Sequence, residues 1–111
     1  MRIAFDFDGT ITKNPFIFKE LIESLSKNNE LYIISGTSIQ DKDNLLYELK
    51  TFNIDYRIFK EIICKNVSGS VQEVSEWKYN IIDTYKIRLY FENRDETANQ
   101  ITSLCNVLKI L

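Results

Sequence analysis

The chain has 111 residues, 44% hydrophobic and 27% charged, with 14 basic side chains against 16 acidic ones. That length suits one core, so a single domain over 1–111 is expected; the near-balanced charge argues against a nucleic-acid surface driven by bulk charge. The absence of histidine removes histidine phosphatases, Ser-His-Asp and Cys-His hydrolases and most zinc enzymes, leaving acid–base chemistry to carboxylates, lysine, tyrosine and cysteine.

Strand and helix patterns then alternate along the chain. Arg2–Asp6 reads as a first strand, and Asn14 followed by Pro15 as the cap and first position of a helix, with Phe18, Leu21, Ile22 and Leu25 at helical spacing. Leu31–Ile34 is a short apolar run of the kind buried on both faces of a parallel sheet. Ser38 and Asp41 mark the next helix start, with Leu45, Leu46, Leu49 and Phe52 as its inner stripe. Tyr56–Phe59 is the expected third strand, near an edge. A loop through Ser68-Gly69-Ser70 leads to a helix carrying Val71, Val74, Ile81, Ile82 and Tyr85 in phase. Ile87–Phe91 is the fourth strand, Ala98, Ile101, Leu104 and Cys105 mark a last helix, and Val107–Leu111 is a candidate fifth strand. This alternation predicts an α/β sandwich with a mainly parallel sheet. No apolar run approaches the roughly 20 residues of a membrane helix, and no signal-peptide pattern is visible, so a cytoplasmic location is expected. The two cysteines, Cys64 and Cys105, lack metal-site spacing and read as reduced thiols.

The polar residues cluster where apolar strands end: Asp6 and Asp8 after the first, Ser35-Gly36-Thr37 after the second, Glu92-Asn93 after the fourth. Ligands of open parallel sheets bind beyond the carboxyl ends of the strands, where the strand order reverses. A first strand lying between the second and fourth brings the three clusters together. Burying an unpaired carboxylate costs several kcal/mol, so Asp6 and Asp8 call for a metal ion, a cation or a phosphate beside them. Lys78 sits on the same stripe as Val74, Ile81 and Ile82, and a lysine there either snorkels at the rim or serves a site. Cys64 to Ser70 resembles a cysteine-phosphatase loop only loosely, because it ends in serine where an arginine fork is needed.

The stretch Asp6-Phe7-Asp8-Gly9-Thr10 resembles the DxDGT signature of the haloacid dehalogenase-like (HAD) phosphohydrolases, and three further motifs follow in order over almost the whole chain. The resemblance implies a Rossmann-like three-layer α/β/α sandwich with five strands in the order 5-4-1-2-3 and no cap domain. It implies Asp6 as nucleophile, forming an aspartyl-phosphate, and Asp8 as general acid and base. Ser35 and Lys78 would bind and steady the phosphoryl group, with Gly9, Thr10 and Gly36 around it. Mg²⁺ is the implied cofactor, with Asp6, Asp8, Glu92 and Asn93 as candidate ligands. Asn93 departs from the family pattern, which carries a second acid there; Asp95 is a further candidate, or else a helix N-cap. The expected substrate is a phosphorylated small molecule, nucleotide or macromolecule, with small nucleotidases and nucleic-acid end phosphatases ranked first. A second copy or a partner subunit is a candidate cover for the open site. The alternatives are a weak or inactive domain that binds phosphate or a protein, and a phosphotransferase.

Overall fold

The apolar run that opens the chain becomes the central strand of a five-stranded sheet. A computed structural model, describing residues 1–111, contains strands β1 (Arg2–Phe5), β2 (Glu30–Ser38), β3 (Glu61–Lys65), β4 (Leu89–Glu92) and β5 (Asn106–Lys109). All neighbours are parallel, in the order β3-β2-β1-β4-β5, which is the expected order read from the opposite edge. Four helices connect them: α1 (Pro15–Leu25), α2 (Lys42–Thr51), α3 (Val71–Tyr85) and α4 (Asp95–Ile101).

Because side chains alternate across a strand, each central strand feeds two cores. Ile3, Phe5, Leu31 and Ile33 point to one face and meet Phe18 and Ile22 of α1 and Leu45 and Leu49 of α2. Ala4, Tyr32, Ile34 and Tyr90 point to the other and meet Ile82 of α3 and Ile101 of α4. The result is the expected three-layer sandwich without a cap domain. Phe5 stacks on Phe91 at 4.8 Å between ring centroids, with Phe18 edge-on to both. No helix is long and apolar enough to cross a membrane.

The third strand is displaced from its expected place. Tyr56–Ile58 form a 3₁₀ turn, because Asp55 caps it by accepting from the Arg57 amide at 2.9 Å, and β3 is Glu61–Lys65, which carries Cys64. The second strand runs on to Ser38, and only a 3₁₀ turn (Ile39–Asp41) separates it from α2. The last helix stops at Ile101, short of Leu104 and Cys105, where Thr102 and Ser103 hydroxyls bond the carbonyls of Asn99 and Gln100. The fourth strand begins later than expected, because Lys86 turns left-handed (φ 57) and the Ile87 amide closes α3 on the Ile82 carbonyl.

One irregularity bears on function. β2 and β3 pair through Ser35 and Cys64, and pairing resumes at Ser38 and Lys65. Gly36 and Thr37 are therefore left out of the ladder, at the carboxyl end of the sheet.

Candidate active site

Asp6 leaves β1 with its amide still bonded to the Phe91 carbonyl at 2.9 Å, so the ladder fixes where its side chain emerges. The carboxylate is only 5% exposed. Its Oδ1 accepts from Lys78 Nζ at 2.8 Å and its Oδ2 from the Thr10 hydroxyl at 3.2 Å. Lys78 reaches it from α3 and is itself 4% exposed; the same Nζ donates to Glu92 Oε1 at 2.9 Å. Glu92 is held by three more donors, the Tyr90 hydroxyl at 3.0 Å on Oε1 and the amides of Asn93 and Arg94 at 3.0 and 3.1 Å on Oε2. Two buried carboxylates thus share one buried ammonium, an arrangement that survives desolvation only because each charge is paired and hydrogen-bonded.

The electrostatics follow from that count. Burial pushes the Asp6 carboxyl up, Lys78 opposes it, and the nearby Glu92 charge adds to the rise. Burial also penalises the Lys78 ammonium, but Asp6 and Glu92 together outweigh it and hold its pKa above the usual lysine value. Glu92 loses stability as an anion through burial, yet Lys78 and its hydrogen bonds bring it below the ordinary glutamate range.

Asp8, two residues on, is exposed and faces the excursion in β2: Thr37 Oγ1 donates to Asp8 Oδ2 at 3.4 Å, and Ser35 Oγ donates to Thr37 Oγ1 at 2.9 Å. Asp6, Asp8, Ser35, Gly36, Lys78 and Asn93 all line one open cavity of about 270 Å³. Gly36 is required there, since a Cβ would lie 2.9 Å from the Val74 side chain. Gly9 is required beneath it, with φ +80 and a would-be Cβ 2.3 Å from the Asn93 amide.

Asn93 sits over a cluster of oxygens. With its amide nitrogen turned inward it donates to Asp6 Oδ2 at 2.8 Å, Glu92 Oε2 at 3.1 Å and the Asp8 carbonyl at 3.2 Å. With its oxygen inward, Asn93 Oδ1 faces the same three oxygens and accepts from the Thr10 hydroxyl at 3.4 Å, and that hard all-oxygen set suits a small divalent cation. Asp6 Oδ2, the Asp8 carbonyl and Asn93 Oδ1 fit such an ion. Glu92, the remaining candidate ligand, already accepts from four donors, Lys78 among them.

The sequence matches no protein-family profile and no curated protein. Among solved structures, it resembles the NMR structure of the core domain of a putative phosphoglycolate phosphatase from Streptococcus pneumoniae TIGR4. The TM-score is 0.62 at 16% identity, over 100% of this chain and 80% of that one. The two chains share a fold.

Several expected residues lie elsewhere in that fold. Thr10 is fully buried behind Asp6, and neither it nor Gly9 lines the cavity. Asp95 is no N-cap: it is the first residue of α4, makes no capping bond and pairs with Lys109 at 3.0 Å. Cys64 is buried on β3, and burial raises its thiol pKa. No aromatic residue borders the cavity. Sequence reasoning missed the Tyr90 hydroxyl as a Glu92 partner, although their spacing of two in a strand puts both on one face.

Proposed function

We propose that this chain is a Mg²⁺-dependent phosphomonoester hydrolase of HAD type that works through a phosphorylated Asp6. The observation that carries this reading is the buried Asp6 carboxylate, held on one oxygen by buried Lys78, opening into a cavity that Asp8 and Ser35 share.

In this reading an Asp6 oxygen attacks phosphorus, the bond to the leaving oxygen breaks, and Asp8 gives that oxygen its proton. Asp8 then takes a proton from water, the water oxygen attacks the aspartyl-phosphate, and inorganic phosphate leaves with Asp6 restored. Lys78 stays charged throughout, which stabilises the negative charge gathering on the phosphoryl oxygens. Ser35 and the Thr37 amide give the phosphoryl group hydroxyl and N–H donors. Mg²⁺, held by Asp6, the Asp8 carbonyl and Asn93, would screen the two anions from each other. The fold shared with a phosphatase core domain supports the reading.

A second reading has an observation of its own. Asn93 turned nitrogen-inward satisfies three oxygens at once, which would close the centre without a cation and leave a domain that binds phosphate or protein without turnover.

The deciding assay is hydrolysis of p-nitrophenyl phosphate with Mg²⁺, with EDTA, and for Asp6→Asn. Turnover that needs Mg²⁺ and is lost in the variant is expected. Turnover that persists in the variant would overturn the mechanism. A silent wild type that also binds no Mg²⁺ would favour the second reading.

A further inference from the structure

Asp8 borders two cavities. Beyond the one it shares with Asp6 lies a groove of about 460 Å³, and Asp8, Gly36 and Thr37 are common to both walls. The groove runs along the start of α2, past Asp41, Asn44 and Glu48. Its size is that of a small-molecule site. In the reading above, Asp8 protonates the leaving oxygen, so the alcohol attached to that oxygen departs on the side of Asp8. The walled space on that side is this groove.

Its chemistry narrows the alcohol. The ionisable side chains on its walls are Asp8, Asp41 and Glu48, with no lysine or arginine among the lining residues. Ser38, Asn44 and Ser68 add hydrogen-bonding groups, while Phe7 and Leu45, its apolar lining residues, are themselves buried. Asp41 accepts one bond, from the Ser38 hydroxyl at 3.2 Å, and keeps the rest of its acceptor capacity. The cavity wall on the Asp6 side, by contrast, carries Lys78 and Arg94. The phosphoryl end thus sets cations beside its carboxylates Asp6 and Glu92, whereas the leaving-group end holds carboxylates alone, and a polyanionic leaving group would meet repulsion there.

We propose that this groove is a leaving-group subsite that selects phosphomonoesters of small alcohols bearing an ammonium group, with Asp41 and Glu48 as the residues that set the preference. The proposal rests on the hydrolase reading for its placement of the leaving oxygen.

O-Phosphoethanolamine and 2-phosphoglycolate make the test, being near-isosteric with opposite charge on the leaving alcohol. The wild type should favour the ammonium ester in kcat/KM by about ten-fold or more, a preference that falls as salt rises. Asp41→Asn with Glu48→Gln should bring the two esters to within about two-fold of each other, whereas purely structural damage would lower both together. A wild type that hydrolyses p-nitrophenyl phosphate but treats the two esters alike, or favours the carboxylate, overturns the subsite and leaves the hydrolase standing. A wild type that hydrolyses none of the three leaves no rates to compare and, where it also binds no Mg²⁺, removes the hydrolase reading. The groove is then decided by NMR titration with O-phosphoethanolamine. Amide shifts over residues 41–48 that 2-phosphoglycolate does not produce retain it as an ammonium-ester site, and their absence removes it.

Discussion

Burial pushes the Asp6 carboxyl up to about 6 from an ordinary value of 3.8, so the fold holds this anion at a cost that depends on pH. Below the unfolded value both states are protonated and the cost vanishes. As pH rises from 3.8 to about 6 the unfolded chain releases its proton first, so this group lowers stability across that window, and the full penalty persists above it. Asp6→Asn should therefore melt higher than the wild type near neutral pH, by about 5 °C, while losing activity. The gap should close by about pH 4, where the wild-type carboxyl is protonated; calorimetry at both pH values checks this. An equal gap at both would show that ionisation is not its origin. Much of this residue-level chemistry was legible in the sequence. Two aspartates one residue apart at the end of an apolar strand, and a lysine on an apolar stripe, each break a local rule, and such breaks mark sites. Asn93 was legible as a departure, but the convergence of the Asp8 carbonyl on it was not, because a main-chain oxygen leaves no mark in the residue pattern.

Among the elements, α3 brings Lys78 to Asp6 and is anchored where it starts. The Ser70 hydroxyl accepts from the Glu73 amide and Glu73 reaches back to the Ser70 amide, each at 3.2 Å, satisfying two otherwise unpaired donors. Ser70→Ala should cost about 1 kcal/mol, read as a melting point lowered by about 4 °C. The sequence reading found this helix and its apolar stripe, since periodicity over fifteen residues is a strong signal. It misplaced β3 because Tyr56–Phe59 and Glu61–Lys65 are similarly apolar. What separates them is the Asp55 side chain, which bonds the Arg57 amide and commits the first segment to a turn. Short runs such as these carry too few residues for period alone to decide.

For the whole molecule, any ion that binds the folded chain and not the unfolded one raises stability by mass action. The donors gathered around Asn93 include two carboxylate oxygens not bonded to Lys78, Asp6 Oδ2 and Glu92 Oε2, and the second already accepts from two main-chain amides. Affinity for Mg²⁺ should accordingly be modest, and the melting point should climb only at millimolar concentrations. Asn93→Asp adds a charge and should bring the same climb at about ten-fold lower Mg²⁺. Thermal melts across a MgCl₂ series would measure both, and a wild type indifferent to Mg²⁺ would count against the cation. The two-residue excursion of Gly36 and Thr37 has a consequence at this scale too. Pairing resumes at Ser38, so the sheet on either side is insulated from what happens between. Gly36 must stay small beneath Val74, and Thr37 is tied to Ser35 and Asp8. Chain inserted between these two residues would lie at the carboxyl end of the sheet while every strand kept its partner, giving the fold a place to acquire a lid without redesigning its core.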